Sequence, residues 1–127
     1  MLNVITGKDQ SSYPMQVKGQ PIVINAGETI YTDAVVSDHD NLAVSYQAQS
    51  DGIPNISISL EQCYDTPKDN EADPISVVGQ VIESGLTDKD FHNCGLKILP
   101  LKTLRFKIVE NSTTAPQVTL NLILSCK

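Results

Sequence analysis

The chain has little of what marks several common functional classes. It contains no tryptophan and only two phenylalanines in 127 residues. Its longest apolar runs are far too short to cross a bilayer as a helix. It has nine Lys and Arg against fifteen Asp and Glu, a net charge of −6, whereas nucleic-acid binders need a clustered basic surface. We therefore expect a soluble folded domain with no membrane partner and no nucleic-acid ligand.

Cysteines are few and widely spaced. The three positions are Cys63, Cys94 and Cys126, and no two of them form a CxxC motif. The count is odd, and the chain begins at Met1 without a basic and apolar leader, which is typical of a reducing compartment. We expect synthesis in the cytoplasm and three reduced, spatially separate thiols. The alternative is one disulfide with one thiol left over, if the protein later meets an oxidant.

Motifs for nucleophilic catalysis are missing. No Gly-x-Ser-x-Gly elbow occurs, and no cysteine lies in a motif known to activate it. Asp88 and Asp90 resemble a paired acid and base, but a single helical turn over residues 87–92, capped by Thr87 or Asp88, explains them more simply. The sequence therefore predicts a protein that is not an enzyme and has no catalytic residue.

Candidate metal ligands are present, but they lack a recognisable arrangement. His39 and His92 are more than fifty residues apart, and pairing both of them with Cys94, through His92-Asn93-Cys94, still leaves a zinc site without a fourth ligand. Oxygen ligands suited to calcium cluster in two polar loops that lack EF-hand register, and we interpret both loops as solvated. The sequence predicts no metal and no cofactor. The loop residues are Asp38, Asp40 and Asn41, then Asp65, Asp69, Asn70, Glu71 and Asp73.

The strongest positive signal is alternation of apolar and polar residues near the end of the chain, over 104–108 and 118–124. A period of two places every second side chain on one face of a strand. Because the turn-rich segment 110–116 joins the two runs, we predict a β-hairpin with one apolar face. The predicted apolar face is Leu104, Phe106, Ile108, Val118, Leu120, Leu122 and Leu124, and the outer face is Arg105, Lys107, Thr119, Asn121 and Ser125.

Further strands are predicted along the rest of the chain, with Ile56, Ile58 and Leu60 inward in the clearest of them. Turn signals recur every ~8–12 residues, and no helix is long enough to cover a sheet. The predicted fold is all-β: an antiparallel two-sheet β-sandwich, jelly-roll-like, as one domain over 21–127 with an N-terminal arm or edge-strand extension over 1–20. The other predicted strands are 21–24, 29–36, 42–49, 75–83 and 94–99.

With the strands placed, the layout over about residues 20 to 126 resembles a group of small tailed-phage virion proteins of the β-sandwich capsid decoration or auxiliary type. The shared pattern is a strand ending in Glu-Gln before a proline-bearing loop, a Leu-Thr-Asp element, and two terminal alternating strands separated by a polar turn. The matching residues here are Ile56-Ser57-Ile58-Ser59-Leu60-Glu61-Gln62, Leu86-Thr87-Asp88, Pro100-Leu101-Lys102-Thr103-Leu104-Arg105-Phe106-Lys107-Ile108 and Val118-Thr119-Leu120-Asn121-Leu122.

The resemblance implies a structural protein of a virus particle, most plausibly one that decorates or cements a capsid. Its partners would be capsid or other virion proteins and its own copies, and its location would be the virion after synthesis in the host cytoplasm. The alternative function is a carbohydrate- or receptor-binding sandwich. Sugar-binding sandwiches lay sugar rings on exposed aromatic side chains. We expect Tyr31 and Tyr46 to face inward, which leaves Tyr13 and Tyr64 for such a platform.

Overall fold

The computed structural model describes residues 2–5, 15–16, 22–32, 34–37, 41–63, 77–98, 103–113 and 116–126. Over these ranges the chain forms eleven strands and no helix. In chain order the strands are β1 Leu2–Ile5, β2 Met15–Gln16, β3 Ile22–Ile24, β4 Thr29–Tyr31, β5 Ala34–Ser37, β6 Asn41–Gln49, β7 Ile56–Cys63, β8 Val77–Leu86, β9 His92–Lys97, β10 Thr103–Glu110 and β11 Val118–Cys126.

The strands form two sheets. Sheet A has the order β1-β5-β10-β7-β8, with β4 pairing to β10 beside β5. Sheet B has the order β2-β11-β6-β9, with β3 pairing to β11 beside β2. Every pairing is antiparallel except that of β1 with β5, which is parallel. The predicted all-β, two-sheet sandwich is confirmed.

The core lies between the two sheets and follows the predicted alternation. In β6, for example, buried Val44 and Tyr46 alternate with partly exposed Ser45. The side chain of Leu124, also predicted inward, lies outside the described residues. All other positions predicted to face inward in β7, β10 and β11 are buried: Ile56, Ile58, Leu60, Leu104, Phe106, Ile108, Val118, Leu120 and Leu122.

The predicted terminal hairpin is wrong. β10 pairs with β7 in sheet A, and β11 pairs with β6 in sheet B. The connection between them crosses from one sheet to the other, with the Asn111 backbone N–H donating to Asn55 O at 2.8 Å. Alternation shows which side chains of a strand face the core, but it does not show which strand lies beside it. Two strands with apolar faces can therefore also pack across the core from opposite sheets.

The predicted helical turn over residues 87–92 is also wrong. The Asp90 backbone N–H donates to Asp88 Oδ1 at 2.9 Å, and β9 already begins at His92. An aspartate side chain that accepts a hydrogen bond from the backbone N–H two residues ahead competes with helix formation. Asp88 therefore closes a turn between β8 and β9 instead of capping a helix.

The strand predicted over 29–36 is divided into β4 and β5, both paired to β10. At the break, the Thr32 backbone N–H donates to Phe106 O at 3.0 Å. The Phe106 N–H donates to the Thr32 hydroxyl oxygen at 2.9 Å. The side chain of Thr32 thus takes the place of a backbone carbonyl, and the ladder on β10 continues across the break.

The outer face of sheet A contains a buried cation that the sequence did not reveal. Arg105 faces outward as predicted, but its side chain is only 1% exposed. Its Nε donates to Glu61 Oε1 at 2.9 Å, and its Cζ lies 4.0 Å from the centre of the Tyr31 ring. Tyr31 pairs with Lys107 on this outer face, so the prediction that it points into the core is wrong. Neither Nη atom of Arg105 has a hydrogen-bond partner in the described part of the chain.

Two of the three cysteines can be placed with their side chains. Cys63 is buried in β7 of sheet A, and Cys94 is half-buried in β9 of sheet B. Both are thiols, and they lie in different sheets, as predicted. The side chain of Cys126 is outside the described residues.

Replacing Phe106 with Ala tests the core. Phe106 is 1% exposed, so we expect the free energy of unfolding to fall by about 3–5 kcal/mol through lost burial and a residual cavity. Val23→Ala, at a position 48% exposed on β3, is the matched control and should change it by no more than ~0.5 kcal/mol. Urea denaturation followed by circular dichroism measures both. Equal effects of the two substitutions would contradict the assigned faces.

Removing Glu61 tests the buried cation. Glu61→Ala leaves the Arg105 guanidinium buried beside Tyr31 without a counter-charge, so we expect a loss of about 3 kcal/mol in unfolding free energy. The double variant Glu61→Leu/Arg105→Met removes both charges and should lose less than the single variant. Denaturant titration compares the three proteins. A Glu61→Ala loss below ~1 kcal/mol is the value of an exposed pair and would contradict this arrangement.

Candidate functional site

Polar side chains gather where the edges of the two sheets meet. In the described ranges β8 pairs only with β7, and β9 pairs only with β6, so both are edge strands. The connection over residues 87–91 joins them on this side of the sandwich. We call the resulting cluster the β8–β9 seam, and it comprises Tyr46, Glu83, Asp88, His92 and Cys94.

Tyr46 and His92 form the centre of the seam. They are directly opposite in the β6–β9 register, and their rings stack with centroids 5.3 Å apart and planes at 16°. The Tyr46 hydroxyl donates to Glu83 Oε1 at 3.5 Å. Glu83 belongs to β8 in the opposite sheet, so this contact links the two sheets at their edges.

The phenol of Tyr46 is held in its neutral form. Burial raises the pKa of Tyr46 to about 12, and the negative charge of Glu83 beside it contributes in the same direction. A low-dielectric surrounding disfavours the phenolate, and a neighbouring carboxylate repels it. Tyr46 therefore donates a hydrogen bond at neutral pH and does not act as a base.

His92 and Asp88 form a hydrogen-bonded pair at the solvent side of the seam, which is an ion pair when His92 is protonated. His92 Nε2 lies 2.8 Å from Asp88 Oδ1. The hydrogen bond between them raises the pKa of His92 and lowers the pKa of Asp88. The backbone carbonyl of Lys89 accepts a hydrogen bond from Gln47 Nε2 at 3.1 Å. These contacts tie the 87–91 connection to β6 and β9.

The seam can bind and release a proton, but its described contacts do not form a catalytic triad. The Ser45 hydroxyl donates to Asn93 Oδ1 at 2.6 Å. Ser45 and Asn93 alternate with Tyr46 and His92 along their strands, so they lie on the other face of sheet B. The nearest described serine hydroxyl on β6 is thus directed away from the His92 ring.

Three members of the seam, Asp88, His92 and Cys94, also stand out in the sequence, but in other combinations. The sequence suggested Asp88 with Asp90, and His92 with Cys94. The structure pairs Asp88 with His92 instead, and the Cys94 thiol contacts Gly95 O at 3.8 Å. Among the described residues, no three His, Cys, Asp or Glu side chains are grouped so that they could hold a metal ion. The i,i+4 spacing of Asp88 and His92 was the one available signal, but Tyr46 and Glu83 required the strand register.

Several of the residues that the sequence suggested as ligands or platforms lie outside the described residues. Asn41, from the first acidic loop, is the first residue of β6 and lies opposite Lys97 in β9. The candidates outside are Tyr13, Asp38, His39, Asp40, Tyr64, Asp65, Asp69, Asn70, Glu71 and Asp73.

Two surface depressions in the described part of the chain offer space for a ligand. Their volumes are about 440 Å³ and about 410 Å³. Neither lining includes an aromatic side chain, so neither offers the platform that sugar rings require. The first is lined by Asn41, Leu42, Ala43, Gly95, Leu96 and Lys97, and the second by Gln49, Ser50, Asp51, Pro116, Gln117 and Thr119.

Exposed apolar side chains are a further feature of the described surface. Val81 on β8 is 67% exposed, and Phe91 in the following connection is 57% exposed. Ile53 and Val23, elsewhere on the sandwich, are 75% and 48% exposed. Val81 and Phe91 belong to β8 and to the connection that joins it to β9.

Asp88→Asn tests the ion pair, because the amide keeps an oxygen for the Asp90 N–H but loses the charge. The raised pKa of His92 contributes stability that is complete below pH 6.5 and is lost as pH rises through the raised pKa. The lowered pKa of Asp88 contributes stability that is complete above pH 3.8 and is lost as pH falls through the lowered pKa. We expect the melting temperatures of wild type and variant to differ most between these two pH values. The difference should shrink as pH rises through the raised imidazole pKa, because His92 then loses its charge.

NMR titration of the imidazole provides the direct check, with His39→Gln as the common background so that His92 is the only histidine. The pKa of His92 should lie above 6.5 in that protein and fall toward it when Asp88→Asn is added. Asp51→Asn, which alters an exposed carboxylate in another turn, should leave it unchanged. A wild-type pKa at or below 6.5 would contradict the pair.

No protein-family model and no curated protein sequence matches the chain. Over the described residues no helix has the length and apolar character needed to span a bilayer.

Solved structures do share the fold. VP2 of the infectious bursal disease virus subviral particle matches with a TM-score of 0.58 and 13% identity over 88% of this chain and 31% of that chain. T=1 particles derived from the same virus match with a TM-score of 0.53 and 12% identity over 90% and 31%. Tripeptidyl peptidase 2 matches with a TM-score of 0.66 and 8% identity over 98% and 10%. The chain therefore spans a third or less of these proteins, and the likeness shows a β-sandwich that occurs in both capsid proteins and an enzyme.

Proposed function

We propose that the protein is a non-enzymatic structural component of a virus particle that acts through protein–protein contacts, as a capsid decoration, cement or other head-associated protein. The main support is that its fold matches that of the capsid protein VP2 over 88% of the chain. The motifs over residues 56–62, 86–88, 100–108 and 118–122 support tailed phages as the source. A rigid sandwich with an acidic surface suits a protein that attaches to a particle by its edges.

The contacts of the described polar groups support a role without catalysis. His92 is engaged by Asp88 at 2.8 Å, and the Ser45 hydroxyl is engaged by Asn93 on the other face of sheet B. Tyr46, with a pKa of about 12, remains protonated. These groups hold the seam together and do not present an activated nucleophile.

The N-terminal segment supports the proposed mode of attachment. β1 and β2 lie at the edges of the two sheets and each pairs with one strand, β5 and β11. The first 20 residues contain too few apolar residues for a core of their own. Burial of each apolar side chain against a neighbouring protein would be worth about 1.5–3 kcal/mol at best. The side chains concerned are Leu2, Val4, Ile5, Met15 and Val17.

Deleting residues 1–18 tests this proposal. The remaining chain keeps β3 to β11 and should stay folded, because the described core residues all lie beyond residue 21. We expect it to bind particles of the virus that encodes it, prepared without this protein, more weakly than the full chain does. Cosedimentation measures binding, and cryo-electron microscopy of the decorated particle locates it. Val23→Ala, which changes an exposed residue outside the segment, is the control.

Three results would count against the proposal. They are particle binding by the deletion variant as strong as that of the full chain, no particle binding by the full chain, and an intact protein that remains monomeric and turns over a substrate. Binding to a glycan array without binding to particles would instead support the carbohydrate-binding alternative.

A further inference from the structure

The β8 edge of sheet A has the properties of a pairing surface. β8 is the longest of the described strands, with ten residues, and in the described part of the chain only one of its two sides is paired. Gly79, Gln80 and Val81 are exposed in succession. An edge of this kind presents a row of unpaired N–H and C=O groups to any strand that can lie beside it.

Edge strands in natural proteins are usually blunted by charge or proline. β9, the other edge at the seam, follows that rule, since it begins at His92 and ends at Lys97. β8 carries neither Lys, Arg nor Pro, and its one charged residue is Glu83. Glu83 contacts the Tyr46 hydroxyl and is turned toward the other sheet. The stretch 77–82 therefore has no charge that would repel an identical strand.

The arrangement of side chains along β8 is self-complementary. Gly79 and Val81 lie on the same face of the strand, two residues apart. A Cβ at Gly79 would meet no atom within 4 Å, and Val81 is 67% exposed. When two copies of the strand run antiparallel with Gln80 opposite Gln80, each Val81 faces the open space at Gly79 of the other copy.

We propose that β8 pairs antiparallel with β8 of a second copy of the chain, about a two-fold axis at Gln80, so that sheet A continues across the dimer. The irregularity in the β7–β8 ladder at Ile58, opposite Glu83, limits regular pairing to the part of β8 before it. An isologous contact of this kind closes on itself and gives a dimer instead of a fibre. The net charge of −6 opposes association, and it is the uncharged edge that allows it.

This inference deepens the proposed function, because it names a surface through which copies would meet. It is tested on the isolated chain, without particles. A dimer that does not bind particles would therefore count against the proposed function alone, and a monomer that binds particles would count against this inference alone.

The first experiment is symmetric cross-linking. In Gln80→Cys the two substituted residues face each other across the axis. Their Cα atoms then lie within the ~4.4–6.8 Å that a disulfide needs. Ser84→Cys changes an exposed residue of β8 beyond the irregularity. It lies four residues from the axis, so the two substituted positions are about eight residues apart across the dimer, or ~26 Å. We expect a disulfide-linked dimer under mild oxidation from the first variant and monomer from the second. Equal cross-linking of both, or none of either, would overturn the register.

The second experiment measures association in solution. We expect concentration-dependent dimerisation of the wild type in analytical ultracentrifugation between about 1 µM and about 1 mM, the range for a small interface. Val81→Lys places a charge beside the axis and should weaken dimerisation at least tenfold. Val23→Lys adds the same charge at an exposed position on β3 and should leave it unchanged relative to wild type. A wild type that remains monomeric, or equal effects of the two substitutions, would overturn the proposal.

Discussion

The structure depends on the burial of two apolar strand faces against each other. The middle strands of the sheets, β10 and β11, carry Phe106 and Ile108 on one side of the core and Leu120 and Leu122 on the other, all at most 1% exposed. Each sheet alone would leave such a face in water, where every large side chain loses about 1.5–3 kcal/mol of burial. The two sheets are therefore stable only as a pair, and strand register, edges and seam all follow from that packing.

Register within sheet A is reinforced on the outer face by Arg105. Because side chains alternate, a slip of one residue between β10 and β7 would send the guanidinium into the core and separate it from Glu61. A buried ion pair adds little net stability, but separating its partners leaves an uncompensated buried charge, which costs about 3–5 kcal/mol. The stacked Tyr31 ring extends the effect to β4. The Arg105–Glu61 contact therefore disfavours a slipped register between β7 and β10.

How much the sequence could predict follows from the same physics. Period-two alternation correctly placed Ile56, Leu104 and Val118 inward, because burial of a face is a local property of each strand. It could not show that β10 and β11 belong to different sheets, since neighbours depend on the whole topology. Tyr31 was misplaced because apolar character alone did not reveal a cation beside it. The seam was missed for a related reason: Tyr46 and Glu83 are far apart in the chain and meet only when both sheets are assembled.

The two sides of the sandwich also differ in how their edges are finished. On one side β1 and β2 extend the sheets beyond β5 and β11. On the other, β9 ends the smaller sheet with a histidine and a lysine, while its connection to β8 is tied down by the Asp88–His92 pair. β8 is neither covered by a further described strand nor marked by an outward charge, because its one charged residue, Glu83, points toward Tyr46. The contact of Glu83 with Tyr46 joins the two sheets at the seam. Because Glu83 is the one charged residue of β8, the same contact leaves the outer edge of this strand without a charged side chain and suitable for pairing with another strand.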